Sequence, residues 1–223
     1  MHIPDGLMYP ATAAATGVVG TGAVAYSLKK SREVLDEKRI PVVGLTAAFI
    51  FAAQMVTVPV AGGTSAHLLG GAMAGIMFGP WVGTLVVSVV YLVQAVGFAD
   101  GGITALGANI LCMGVLPAVG GYYFFRALTG LMPRTRVAYL GSVAVTSWLS
   151  IVAASALASV FVAIGGPLPL AAFPIMIGIH ALVGVLEAVI STSVVAVLAT
   201  RPDLLANKDR LPSKVPAPVR EAA

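Results

Sequence analysis

Apolar and polar positions along this chain fall in long blocks, not in stripes. Residues 10–28, 41–60, 61–79, 81–98, 103–125, 137–164 and 175–199 are almost wholly apolar or small, and nearly all the charge lies between them. A helix rises 1.5 Å per residue, so about 20 such residues cross a hydrocarbon layer roughly 30 Å thick. A stretch that is apolar on every face has no side to offer to water. The pattern predicts an all-α, polytopic membrane helical bundle with seven transmembrane helices. The third block is short and glycine-rich and stops at Pro80, while the sixth is long enough to tilt or to extend beyond the bilayer.

The cations add an orientation. All thirteen Lys and Arg residues fall in three blocks, 29–39, 126–136 and 201–220. Short loops rich in Lys and Arg stay in the cytoplasm. Seven crossings bring all three blocks to one side, which predicts an N-terminus outside and a C-terminus in the cytoplasm; without the short third block this parity fails. Residues 1–200 read as one integral membrane domain, and 201–223, polar, basic and proline-rich, as a flexible cytoplasmic tail. No Lys or Arg precedes Lys29, so the start lacks the basic region of a cleaved signal and is expected to be retained.

Composition then narrows the function. With 58% hydrophobic and 10% charged residues and a mean hydropathy of +0.96, the chain cannot cover a water-facing surface and reads as a multi-pass protein of the cell membrane. The net charge of +4 could suggest nucleic acid, but clustered loop cations without interleaved aromatics do not make such a face. Neither a GxxxxGK[ST] phosphate loop nor HExxH is present, and no nucleophile stands beside a credible base. The single cysteine, Cys112, lies in an apolar block and reads as a buried thiol.

The polar residues within and beside the blocks carry the candidate chemistry. The chain opens MHIPDG. A terminal amine, the amide nitrogen of residue 2 and Nδ1 of His2 close a five- and a six-membered chelate ring, three nitrogens in one plane. Ni2+ and Cu2+ favour such a field. His67, at the start of a predicted span, is a natural fourth nitrogen. The plainer readings are a terminal turn for MHIPDG and a hydrogen-bonded buried group for His67. His180 and Glu187 stand seven apart on one helix face, and ionisable groups in a membrane are seldom idle. They read as a brace around the ligands or as part of a path. Asp100 could cap the fifth helix, hold the terminal amine or orient His67, and Asn109 follows it two turns into the span. Asp5 reads as a turn former, Gln54 and Gln94 as interhelical glue, Met113 and Met132 as apolar filling.

Four motifs together, MHIPDG, TSAHLLGG (64–71), QAVGFADGGITALGAN (94–109) and HALVGVLEAVIST (180–192), resemble the NikM/CbiM family. These are the substrate-capturing components of energy-coupling-factor importers for nickel or cobalt, and the likeness covers about residues 1–200. The resemblance implies a seven-helix bundle with its N-terminus tucked in from outside. It implies that the transported Ni2+ or Co2+ is held by the Met1 amine, by His2 through its amide and ring nitrogens, and by His67. Asp100, Asn109, His180 and Glu187 map onto other polar positions of the family. Two ATP-binding-cassette subunits or domains and a transmembrane coupling subunit are implied as partners. The small accessory membrane subunit is expected to be a separate chain, because residues 201–223 are too short to include it. ATP hydrolysis would belong to the partners, so the chain itself is not expected to be an enzyme. Two rivals remain at this stage. One is a gradient-driven secondary transporter with His180 and Glu187 as proton relay. The other is a membrane metalloenzyme built on His67 and His180.

Overall fold

The computed structural model describes residues 1–59, 65–169, 171 and 173–212. Its helices are α1 (Pro10–Val34), α2 (Ile40–Gln54), α3 (Gly71–Phe78), α4 (Pro80–Gly97), α5 (Leu106–Leu131), α6 (Arg136–Ile164) and α7 (Phe173–Leu198). Proline opens α1, α2 and α4 in the first turn, where its missing N–H has no intrahelical partner to lose. Thr135 caps α6 by accepting from the Ala138 amide at 3.2 Å. Val58–Pro59 and Ser65–Ala66 form a short antiparallel pair.

Five of these helices, α1 and α4 to α7, are long and apolar enough to cross a membrane. The expectation of seven transmembrane helices is corrected accordingly, to five among the described residues. α2 has 15 residues and α3 has 8. At 1.5 Å per residue these reach roughly 22 and 12 Å, short of a layer roughly 30 Å thick. The blocks 41–60 and 61–79 have the composition of spans but not a continuous helix. The backbone leaves α2 at Gln54, enters the strand pair, and turns at Gly70 in the left-handed region with φ 72. That stretch is a half-length helix, a loop bearing His67 and a two-turn helix. Residues 60–64, where the two predicted spans meet, lie outside the described residues, as do 213–223 of the predicted tail. With five crossings the parity that placed the N-terminus outside and the C-terminus in the cytoplasm no longer holds, and the fold does not decide the orientation.

Small residues set the helix crossings. A Cβ on Gly107 of α5 would strike the Thr16 carbonyl and Gly17 of α1, and one on Gly75 of α3 would strike the Ala118 carbonyl of α5. Backbones approach closely at such positions because nothing stands between them. The middle of α5, Ile110–Gly120, is π-helical and contains Pro117. Proline cannot donate to the helical ladder, and within the same stretch the Met113 carbonyl accepts from the Tyr91 hydroxyl at 3.0 Å. α6 and α7 form a hairpin, with Trp148 Nε1 donating to the Ala181 carbonyl at 3.0 Å above Gly184. Residues 202–211 lie against the ends of α3 and α5: the Ala206 amide donates to Met77, and the Asn207 side chain donates to Ile76.

Candidate metal centre

The first three residues thread into the bundle, while residues 4–9 run out across its end. Met1 and Ile3 are 0% and 1% exposed and join the apolar core around Met73 and Tyr91. Three sets of bonds hold this segment. Asn109, near the start of α5, grips residue 3 with both atoms of its amide: the Ile3 amide donates to Asn109 Oδ1 at 2.8 Å, and Asn109 Nδ2 donates to the Ile3 carbonyl at 3.1 Å. The Gly102 amide also donates to that carbonyl, at 2.9 Å. Asp5 accepts from the amides of Ile103 and Thr104 and from the Thr104 hydroxyl, which caps the turn leading into α5. A Cβ on Gly102 would collide with the Asp5 amide, so this close approach needs glycine. Finally, the Tyr9 amide donates to Gly165 at 2.7 Å at the α6–α7 connection.

His67 arrives from the other side on the loop before α3. That loop is braced from two helices. Gln54 Nε2 donates to the Leu69 carbonyl at 2.7 Å, and the buried Glu187 carboxylate accepts from the amides of Leu69 at 2.7 Å and Gly70 at 2.9 Å. Glu187 thereby takes up orphan donors at the start of α3. His67 Nδ1 lies 2.7 Å from the Leu68 carbonyl. A carbonyl only accepts, so Nδ1 carries the proton and Nε2, buried without a partner, carries a lone pair. His180 is built the same way, with Nδ1 2.8 Å from the Met176 carbonyl and a buried Nε2 without a partner.

The two segments meet at the imidazoles. The rings of His2 and His67 stack with centroids 4.5 Å apart and planes 24° apart, and Tyr91 presents its ring to His2 edge-on at 5.6 Å. His2 Nδ1 faces Asp100 Oδ1 at 3.2 Å. Burial and this contact act on the protons. Desolvation pushes the Met1 amine down from 8.0 to about 4, with Asp100 opposing. It lowers His2 against the opposing pull of Asp100, and lowers His67 together with the nearby amine and His2. Asp100 is lowered chiefly by its contact with His2. The arrangement therefore holds several nitrogens neutral, in the form that binds a cation. Among the described residues no three His, Cys, Asp or Glu side chains are placed to share one ion. A set completed by main-chain nitrogens needs only two imidazoles.

The structure thus brings Met1, His2, His67 and Asp100 together, with Asn109 and Glu187 as clamps behind them. His180 is close enough for its charge to act on His67 but lies outside a shared cluster. Sequence reasoning missed Tyr91, which joins His2 to α5; its spacing of three from Gln94 on α4 was the available signal, and Gln94 also lies against His2. Gln54 proved to brace the His67 loop instead of linking spans by itself.

Fold and site define a class: an all-α, multi-pass membrane protein that turns its own N-terminus inward beside two imidazoles. The sequence matches the family described as cobalt uptake substrate-specific transmembrane region over residues 2–204, and the chain belongs to that family. Its family role is that of the substrate-specific membrane component of an energy-coupling-factor importer for nickel or cobalt, a transport protein and not an enzyme. It is 38% identical to a fused nickel transport protein of the NikMN type from Archaeoglobus fulgidus, over 93% of this chain and 69% of that one. It is 34% identical to the fused nickel transport protein NikMN of Rhodobacter capsulatus, over 97% of this chain and 66% of that one. A crystal structure of a truncated transition-metal transporter superposes with a TM-score of 0.81 at 31% identity, covering 89% of this chain and 98% of the other.

Proposed function

We propose that the chain captures one Ni2+ or Co2+ ion through the Met1 amine, the amide and ring nitrogens of His2, and Nε2 of His67. The observation that carries this reading is the stacking of His2 on His67 beside a terminus that is fully buried. Burial of an amine and two imidazoles is unfavourable unless something uses their lone pairs. A planar four-nitrogen field selects by geometry and favours the low-spin d8 ion. Binding at Nδ1 replaces the proton that faces Asp100, so Asp100 holds the ring ready and receives the change in charge. Asn109 fixes the chelating dipeptide through residue 3, and Glu187 fixes His67 through the loop before α3. His180, outside that shared cluster, serves as a brace or as the next stop on the path of the ion.

Release is driven by partners. Two ATP-binding-cassette subunits or domains and a transmembrane coupling subunit supply the energy, alongside a small accessory membrane subunit. Titration of purified protein with nickel and with cobalt, read by optical spectroscopy, tests the capture set. The expected result is one nickel per chain with a diamagnetic, square-planar signature that disappears in His67→Ala. An octahedral spectrum, or an unchanged one in that variant, removes the proposed ligand set.

A further inference from the structure

The bundle has a second built cavity at the end away from the metal centre. α1, α3 and α5 run from the centre toward it, and α4 runs back from it. α4 has 18 residues, which separates its two ends by roughly 27 Å. At the far end a cavity of about 420 Å³ opens between the last turn of α1, the end of α3, the start of α4 and the second half of α5. Among the described residues two arginines line it, Arg39 and Arg126, and none of that lining is acidic. Trp81, Tyr122 and Tyr123 supply aromatic walls.

The two cations are not equivalent. Arg126 is already engaged, with Nη2 3.1 Å from Asp209 Oδ2 and Nη1 3.1 Å from Asn207 Oδ1. Arg39 lies over the Phe78 ring at 5.9 Å and makes one long bond, from Nη2 to the Met77 carbonyl at 3.5 Å. Its Nε is buried with no partner among the described residues. A guanidinium offers five donors in a planar fork that matches the oxygens of a phosphate. Basic pockets between membrane helices, near the level of the headgroups and flanked by Trp and Tyr, suit anionic lipid.

We propose that this cavity holds the phosphate of an anionic phospholipid, with Arg39 as the anchoring donor and the aromatic residues against the glycerol region. A free phosphate ion shares that chemistry, and the test separates the two. The full chain is equilibrated with equal amounts of phosphatidylglycerol and phosphatidylcholine, and retained lipid is measured by native mass spectrometry. The expected result is a phosphatidylglycerol preference of about fivefold that vanishes in Arg39→Gln and survives in part in Arg39→Lys. Nickel binding by each variant reports that it is folded, since neither touches the metal centre. Equal retention of the two lipids by the native chain overturns the proposal, as does a preference that persists in Arg39→Gln. Stabilisation by inorganic phosphate without any lipid preference reassigns the site to a soluble anion. Loss of the coupling subunit from Arg39→Gln with the lipid preference intact makes the cavity a protein contact instead.

Discussion

Removal from water governs the nitrogens of Met1, His2 and His67 alike. The amine is a base whose folded pKa, about 4, lies below its ordinary 8.0. Between those values the unfolded chain binds the extra proton, so stability rises with pH across that window. The slope can reach about 1.4 kcal/mol per pH unit for one group. The two imidazoles shift in the same direction and add to it below 6.5. Metal-free protein is therefore expected to unfold at a higher temperature at pH 8 than at pH 5, and nickel affinity to fall as the pH drops toward 4. A flat melting profile over that range contradicts the buried neutral amine. Asn109→Ala frees the Ile3 amide and leaves its carbonyl to the Gly102 amide alone, and is expected to weaken nickel binding about 10- to 100-fold, as losses behind a ligand usually do; isothermal titration measures it. The ligand candidates were legible in the sequence because MHIPDG and the histidine before Leu68 are chemically unusual in an apolar chain. Tyr91 was not, because a tyrosine inside an apolar block looks like packing until its partner, the Met113 carbonyl, is known.

At the scale of elements, the stretch between Gln54 and Gly71 decides where His67 sits. Hydropathy read it as two crossings because burial inside protein and burial in lipid select the same residues. What separates them is backbone continuity, broken here by the strand pair and by Gly70 in the left-handed region. The functional use of Glu187 was equally hidden, since its acceptance of the Leu69 and Gly70 amides spans more than 100 residues of sequence. Glu187→Gln keeps the shape but turns one acceptor into a donor facing an amide, and is expected to cost about 1–3 kcal/mol, read as a lower denaturation midpoint with weaker nickel binding. Gly75→Ala sets a methyl against the Ala118 carbonyl and is expected to destabilise by about 1–3 kcal/mol. In thermal unfolding an unaltered midpoint removes the close contact between α3 and the π-helical part of α5.

For the whole molecule, the all-α multi-pass architecture followed from block hydropathy, while the count of crossings and the orientation did not. Five full-length helices surround the buried α3, while α2 packs at the edge with most of its residues partly or wholly exposed, and the N-terminal segment enters between the turn before α5 and the α6–α7 connection. One end of the bundle thus gathers neutral nitrogens, and the other gathers arginines and aromatic residues. The central claim is that the chain uses its own first nitrogen as a ligand. The most direct measurement compares nickel bound by the native protein with nickel bound by a chain whose Met1 amine is acetylated, both shown to be folded by thermal unfolding. The account predicts that acetylation, which takes the lone pair of the amine out of the chelate, lowers affinity at least about a hundredfold. Equal affinity in the two proteins would contradict it.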